Sequence, residues 1–70
     1  MKHEELILKA AKSSGAKKAE MIHGSLFVTF IPGFVDVLSN ELKGVLEELL
    51  KNATVKMYSL TDNEYAYDFI

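Results

Sequence analysis

The stretch Met21-Ile22-His23-Gly24-Ser25-Leu26-Phe27-Val28-Thr29-Phe30-Ile31-Pro32-Gly33 decides how the chain is read. Its His-Gly-Ser tripeptide has the residue types of a small catalytic or phosphate-holding loop. The flanks give a second account. Apolar residues alternate with others on both sides of Gly24-Ser25, as two strands joined by a tight turn require. With Gly24-Ser25 as a two-residue loop, Gly at the first position suits a type II′ turn. The pairs would be His23 with Leu26, Ile22 with Phe27, Met21 with Val28, Glu20 with Thr29 and Ala19 with Phe30. Ala19, Met21, Leu26, Val28 and Phe30 then share one face, the natural core face. The hairpin explains both the glycine and the pattern, whereas a catalytic loop explains only the tripeptide.

Working outward, residues 3–14 read as a helix. Leu6, Ile7, Ala10, Ala11 and Ser14 recur at helical spacing, Glu4 and Glu5 suit the positive first turn, and Gly15 suits the C-terminal cap. Pro32-Gly33 ends the second strand. A longer helix follows, starting between Phe34 and Asn40 and running to about Lys51. Leu38, Leu42, Val45, Leu46, Leu49 and Leu50 form its apolar stripe, opposite Glu41, Lys43, Glu47, Glu48 and Lys51. Asp36 and Ser39 are both candidate caps for its start. Gly44 lies mid-helix, where a close approach to Ala10 or Ala11 would explain it.

The last stretch reads as a second hairpin with Asp62-Asn63 in its loop. Ser59 pairs with Tyr65, Tyr58 with Ala66, Met57 with Tyr67, Lys56 with Asp68 and Val55 with Phe69. Setting Lys56 opposite Asp68 places opposite charges side by side. The expected fold is therefore α+β and two-layered, in the order α-β-β-α-β-β. Its four-stranded, mainly antiparallel sheet is made of two hairpins, with both helices on one face. The pattern does not fix the strand order.

Composition narrows the functional classes. Residues 1–70 suffice for a single small domain, near the lower size limit for a self-sufficient core. No cysteine is present, so neither disulfides nor thiolate metal sites can staple it. Packing or a partner subunit must do so instead. The first residues, MKHEELILKAAK, lack the features of a signal peptide, and no apolar run is long enough to span a bilayer. A cytoplasmic location without membrane association is expected. Residues 1–31 hold five lysines against three acids, or +2; residues 32–70 hold three against seven, or −4. There is no arginine, which disfavours nucleic-acid recognition, because bidentate contacts to phosphate or guanine use the guanidinium fork.

No residue set calls for catalysis, a cofactor or a metal. His23 has no nucleophile and orienting acid in a recognisable arrangement, and Ser25 points to the opposite side if the strand continues. His3 and His23 stand outside any ligand spacing, and Asp62-Asn63-Glu64 lacks the alternation of a calcium loop. Lys9, Lys12, Lys17 and Lys18 suit a solvated helix end better than a nucleic-acid site. Of Tyr58, Tyr65 and Tyr67, only Tyr58 would face outward.

The order helix, Gly, strand, Gly24-Ser25, strand, helix over residues 3–51 resembles the HicA-type toxins of toxin–antitoxin systems. Those proteins have a fold like double-stranded-RNA-binding domains and cleave RNA. The resemblance implies a nuclease arrangement in which a histidine directly follows Gly-Ser. Here that position holds Leu26, and the family's third strand before the second helix is missing. An RNA-binding or degenerate toxin-related protein is thus the alternative reading.

One feature points elsewhere. The sheet face away from the helices carries Ile22, Phe27, Ile31, Tyr58 and Ile70, an interaction surface rimmed by Glu20, Lys56 and Asp68. The expected function is a non-enzymatic protein–protein interaction module, with a second copy or another protein as partner. Small inhibitors, adaptors and regulators encoded by phages or other mobile elements are of this size.

Overall fold

Strands need partners of matching polarity, and the sheet sorts its strands accordingly. The computed structural model describes residues 2–51 and 53–70. In chain order the elements are α1 (Lys2–Ser13), β1 (Ala16–Ile22), β2 (Ser25–Phe30), α2 (Val35–Leu49), β3 (Val55–Ser59) and β4 (Glu64–Phe69). They make an α+β fold whose single sheet runs β1-β2-β4-β3, every neighbouring pair antiparallel. The two hairpins therefore join through β2 and β4. These central strands contain no lysine, while Lys17, Lys18 and Lys56 lie on the edges. Edge lysines discourage pairing with further chains.

The second hairpin has the register expected from Lys56 opposite Asp68, with Met57 opposite Tyr67 and Val55 opposite Phe69. The first does not. Its two-residue loop is His23-Gly24, and Ser25 is already the first residue of β2, paired with Ile22. Met21 pairs with Leu26 and Ala19 with Val28. Both loop residues have positive φ, 50° for His23 and 82° for Gly24, the signature of a type I′ turn. Histidine is among the few side chains enriched in the left-handed region, which lets it stand where asparagine usually does. Because each partner moves by two residues, every side chain keeps its face.

That inner face forms the core. Leu26, Val28 and Phe30 from β2, Val55 from β3 and Tyr67 from β4 are buried against Ile7 and Ala11 of α1 and Leu42 and Leu46 of α2. α1 packs on β1 and β2, and α2 on β2 and β3. Gly15 ends α1 with φ 85°, as its capping role requires. The apolar stripes are narrower than their sequence suggests. Leu6 of α1 and Val45 and Leu49 of α2 are exposed, while Leu8 and Ala10 pack against the core. Each helix covers only about half of a narrow sheet, so an inward arc of its surface suffices.

Two details of α2 also depart from expectation. Neither Asp36 nor Ser39 caps it: Phe34 occupies the cap position without a side-chain hydrogen bond, and Asp36 lies in the first turn. Ser39 is buried, and its hydroxyl donates back to the Asp36 carbonyl at 3.1 Å. A methyl group added at Gly44 would meet nothing within 4 Å, so no close approach to α1 explains that glycine.

Candidate functional site: the open face of the sheet

The face turned away from both helices is built from the alternate residues of all four strands. Its central row runs Glu20, Phe27, Ala66, Tyr58, each directly opposite the next across β1, β2, β4 and β3. Phe27 is half-buried and Tyr58 exposed. Ala66 between them is only 7% exposed, because its larger cross-strand neighbours overhang it. Ile22 sits diagonally beside Phe27, and the two line one hollow with Thr29, Leu60 and Glu64. The structure thus brings Ile22, Phe27 and Tyr58 together.

Ile70 and Ile31 are placed apart from them. The row Ile22, Ser25, Asp68, Lys56 intervenes before Ile70, and its middle is polar: the Ser25 hydroxyl donates to the Asp68 carboxylate. Ile70 lies beyond that row, where its backbone exchanges two hydrogen bonds with Thr54. Ile31 follows the opposite end of β2, next to the loop before β4, since the Phe30 N–H donates to the Asn63 carbonyl at 2.8 Å. The apolar surface on the open face is one row flanked by Ile22 and Leu60, set between polar groups at Ser25, Asp68 and Lys56 and at Lys18, Thr29 and Glu64.

Of the border charges, Lys18 lies 3.0 Å from Glu20, and this contact holds its ammonium pKa above the ordinary value. Both side chains are well exposed, so the pair adds little stability. Lys9 and Lys12 line a hollow on α1 with Glu5 and Leu8 that does not include Lys18. The four lysines do not make one basic patch.

The residues considered for chemistry are dispersed. His23 is exposed at the turn, and Ser25, the nearest hydroxyl in sequence, is turned to Asp68. Leu26, at the position after Gly-Ser, is fully buried in the core. Among the described residues, no three of His, Asp and Glu stand close enough to hold a metal ion. No helix among them is long and apolar enough to cross a membrane. Tyr67 is fully buried, and its hydroxyl donates to the Ser39 carbonyl at 2.9 Å. Burial drives its phenol pKa well above the usual tyrosine range. Tyr65 packs edge-on to Phe30, ring centres 5.9 Å apart. Neither offers a ring to a ligand on the open face.

Four large apolar residues outside the expected surface are more exposed than Ile22 and Tyr58: Leu6, Phe34, Val37 and Leu60. Phe34 and Val37 follow Pro32-Gly33 at a spacing of three, which places them on one side of the start of α2. That spacing was the available signal for them. No protein-family model, curated protein or solved structure matches this chain significantly.

Proposed function

We propose that the chain is a non-enzymatic protein–protein interaction module that associates with a second copy of itself through the open sheet face. The observation that carries this reading is the Phe27-Ala66-Tyr58 row, with Ile22 beside it, on the face that neither helix covers. A solvated antiparallel face is normally more polar along its centre. Covering the row with the same row of a twofold-related copy would bury two aromatic rings from each side, the residue types that anchor interfaces.

Sedimentation over a concentration series tests the reading. The wild-type protein is expected to dimerise by the high micromolar range. Phe27→Asp is expected to stay monomeric, because it would set two carboxylates against the partner's apolar row. Dimerisation should respond little to salt, whereas an RNA complex would weaken steeply as salt rises. A wild-type protein that remains monomeric at high concentration overturns the self-association.

A further inference from the structure

Besides Ile70, the most exposed apolar side chains gather at one end of the molecule. There the connection through Ile31 and Phe34 meets the loop after β3. Ile31, Phe34, Val37 and Leu60 are 56%, 70%, 57% and 54% exposed. The two segments are fastened together. Besides the Phe30 N–H bond to Asn63, the Asn63 side-chain amide donates back to the Phe30 carbonyl at 3.2 Å. The Leu60 N–H donates to the Glu64 carbonyl at 2.8 Å, and the Thr61 hydroxyl to the Glu64 carboxylate at 3.0 Å. Asp62 of one segment shares a hollow with Gly33, Phe34, Asp36 and Val37 of the other. The apolar groups are therefore displayed on a prearranged support, which lowers the ordering cost of binding.

The charge at this end has one sign. Residues 31–42 and 59–66 contain Asp36, Glu41, Asp62 and Glu64 and no lysine. Lys18, which borders the hollow beside Leu60 and Glu64, is engaged by Glu20. A second copy presenting the same end would bring carboxylates against carboxylates, and anionic lipid would be repelled. A partner must be apolar and positive together. We infer that this end docks a cationic amphipathic segment of another protein, its apolar side chains against Phe34 and Val37 and its ammonium or guanidinium groups toward Asp36 and Asp62. This site does not depend on self-association through Phe27.

A fluorescein-labelled peptide of leucine and lysine in a helical amphipathic pattern serves as probe, read by fluorescence anisotropy. A peptide with glutamate replacing each lysine is the control. The lysine peptide is expected to bind and the glutamate peptide not to. Phe34→Ser should weaken binding about tenfold or more, the loss expected for an anchoring aromatic. This variant puts a hydroxyl at the uncapped start of α2, so an unchanged or higher Tm will show that the fold persists. The double variant Asp36→Asn, Asp62→Asn should weaken binding and flatten its salt dependence. Phe27→Asp should bind the peptide as the wild type does, which separates this site from the open face. Equal binding of both peptides, binding unaffected by Phe34→Ser, or capture by phosphatidylcholine vesicles without capture of the lysine peptide would overturn the proposal.

Discussion

The two hairpins solve the same problem by different means. In the first, β1 turns into β2 through two residues, His23 and Gly24, both held at positive φ. The backbone conformation of those two residues sets the register. In the second, β3 and β4 are linked by Leu60 to Asn63, none of which has positive φ. Side chains hold that link. The Ser59 hydroxyl donates to the Thr61 carbonyl at 3.3 Å, Thr61 reaches Glu64, and Asn63 ties the loop across to Phe30. A change in the first hairpin therefore acts through strain, and one in the second through lost hydrogen bonds.

Gly24→Val should break this comparison most sharply. It forces a β-branched side chain into the left-handed region, at about 1–3 kcal/mol, read as a lower midpoint in denaturant. An unchanged midpoint would mean that the turn does not require positive φ.

Tyr67→Phe tests the second hairpin where it enters the core. Losing the bond to Ser39 should lower stability at neutral pH by about 1 kcal/mol. It also has a pH signature that the buried side chains of β2 lack, since none of them titrates. Burial favours the neutral phenol, raising its pKa above the ordinary value of 10.0. As pH rises past 10, the unfolded chain gives up this proton while the folded protein keeps it, so stability falls. Unfolding curves from pH 8 to 12 should show a shallower alkaline decline for Tyr67→Phe than for wild type.

Asn63→Ala removes one side-chain tie between the hairpins and should lose about 0.5–1.5 kcal/mol by chemical denaturation. A loss confined to the loop, seen as faster amide exchange at Leu60 and Glu64 without a lower global stability, would show that the tie is local. His23→Asn gives the smallest effect, with the opposite sign. Asparagine is favoured before glycine in a type I′ turn, so Tm should rise slightly, by no more than about 0.5 kcal/mol of added stability.

The same contrast explains which parts of the fold were legible in the sequence. The second hairpin's register could be read because Lys56 and Asp68 mark a pair of opposite partners. The first was displaced because Gly24 satisfies either turn type, and only the conformation of His23 distinguishes them. The faces survived that displacement, since side chains alternate with a period of two. Strand order also had a signal, the confinement of lysines to β1 and β3, but it is visible only once all four strands are compared. Helix burial was overestimated at Leu6, Val45 and Leu49 because hydrophobicity reports what can be buried, while the width of the sheet decides what is. The open-face row Phe27-Tyr58 was legible from alternation. Ile31 and Ile70 follow the same alternation but lie beyond the strand ends, where parity no longer places a residue in the patch. The acidic end could not be assembled from sequence, because Phe34 and Asp62 meet only through the β2–β4 pairing.

That pairing also has a consequence for synthesis. Of the four strands β4 leaves the ribosome after the other three, yet it occupies the middle of the sheet. When β1 and β2 have closed into a hairpin, β2 presents an unpaired edge to the cell, and β3 emerges with no strand to accept it. The lysines that guard the finished sheet are on its outer strands, so nothing of that kind protects the nascent one. During this interval Leu26, Val28 and Phe30 have α1 above them but no β4 alongside, a condition in which strand addition from another chain competes with completion. Slowing translation over residues 60–70 should therefore increase aggregation of the newly made chain, while leaving the mature protein as soluble as before. The most vulnerable edge of this molecule exists only while it is being made.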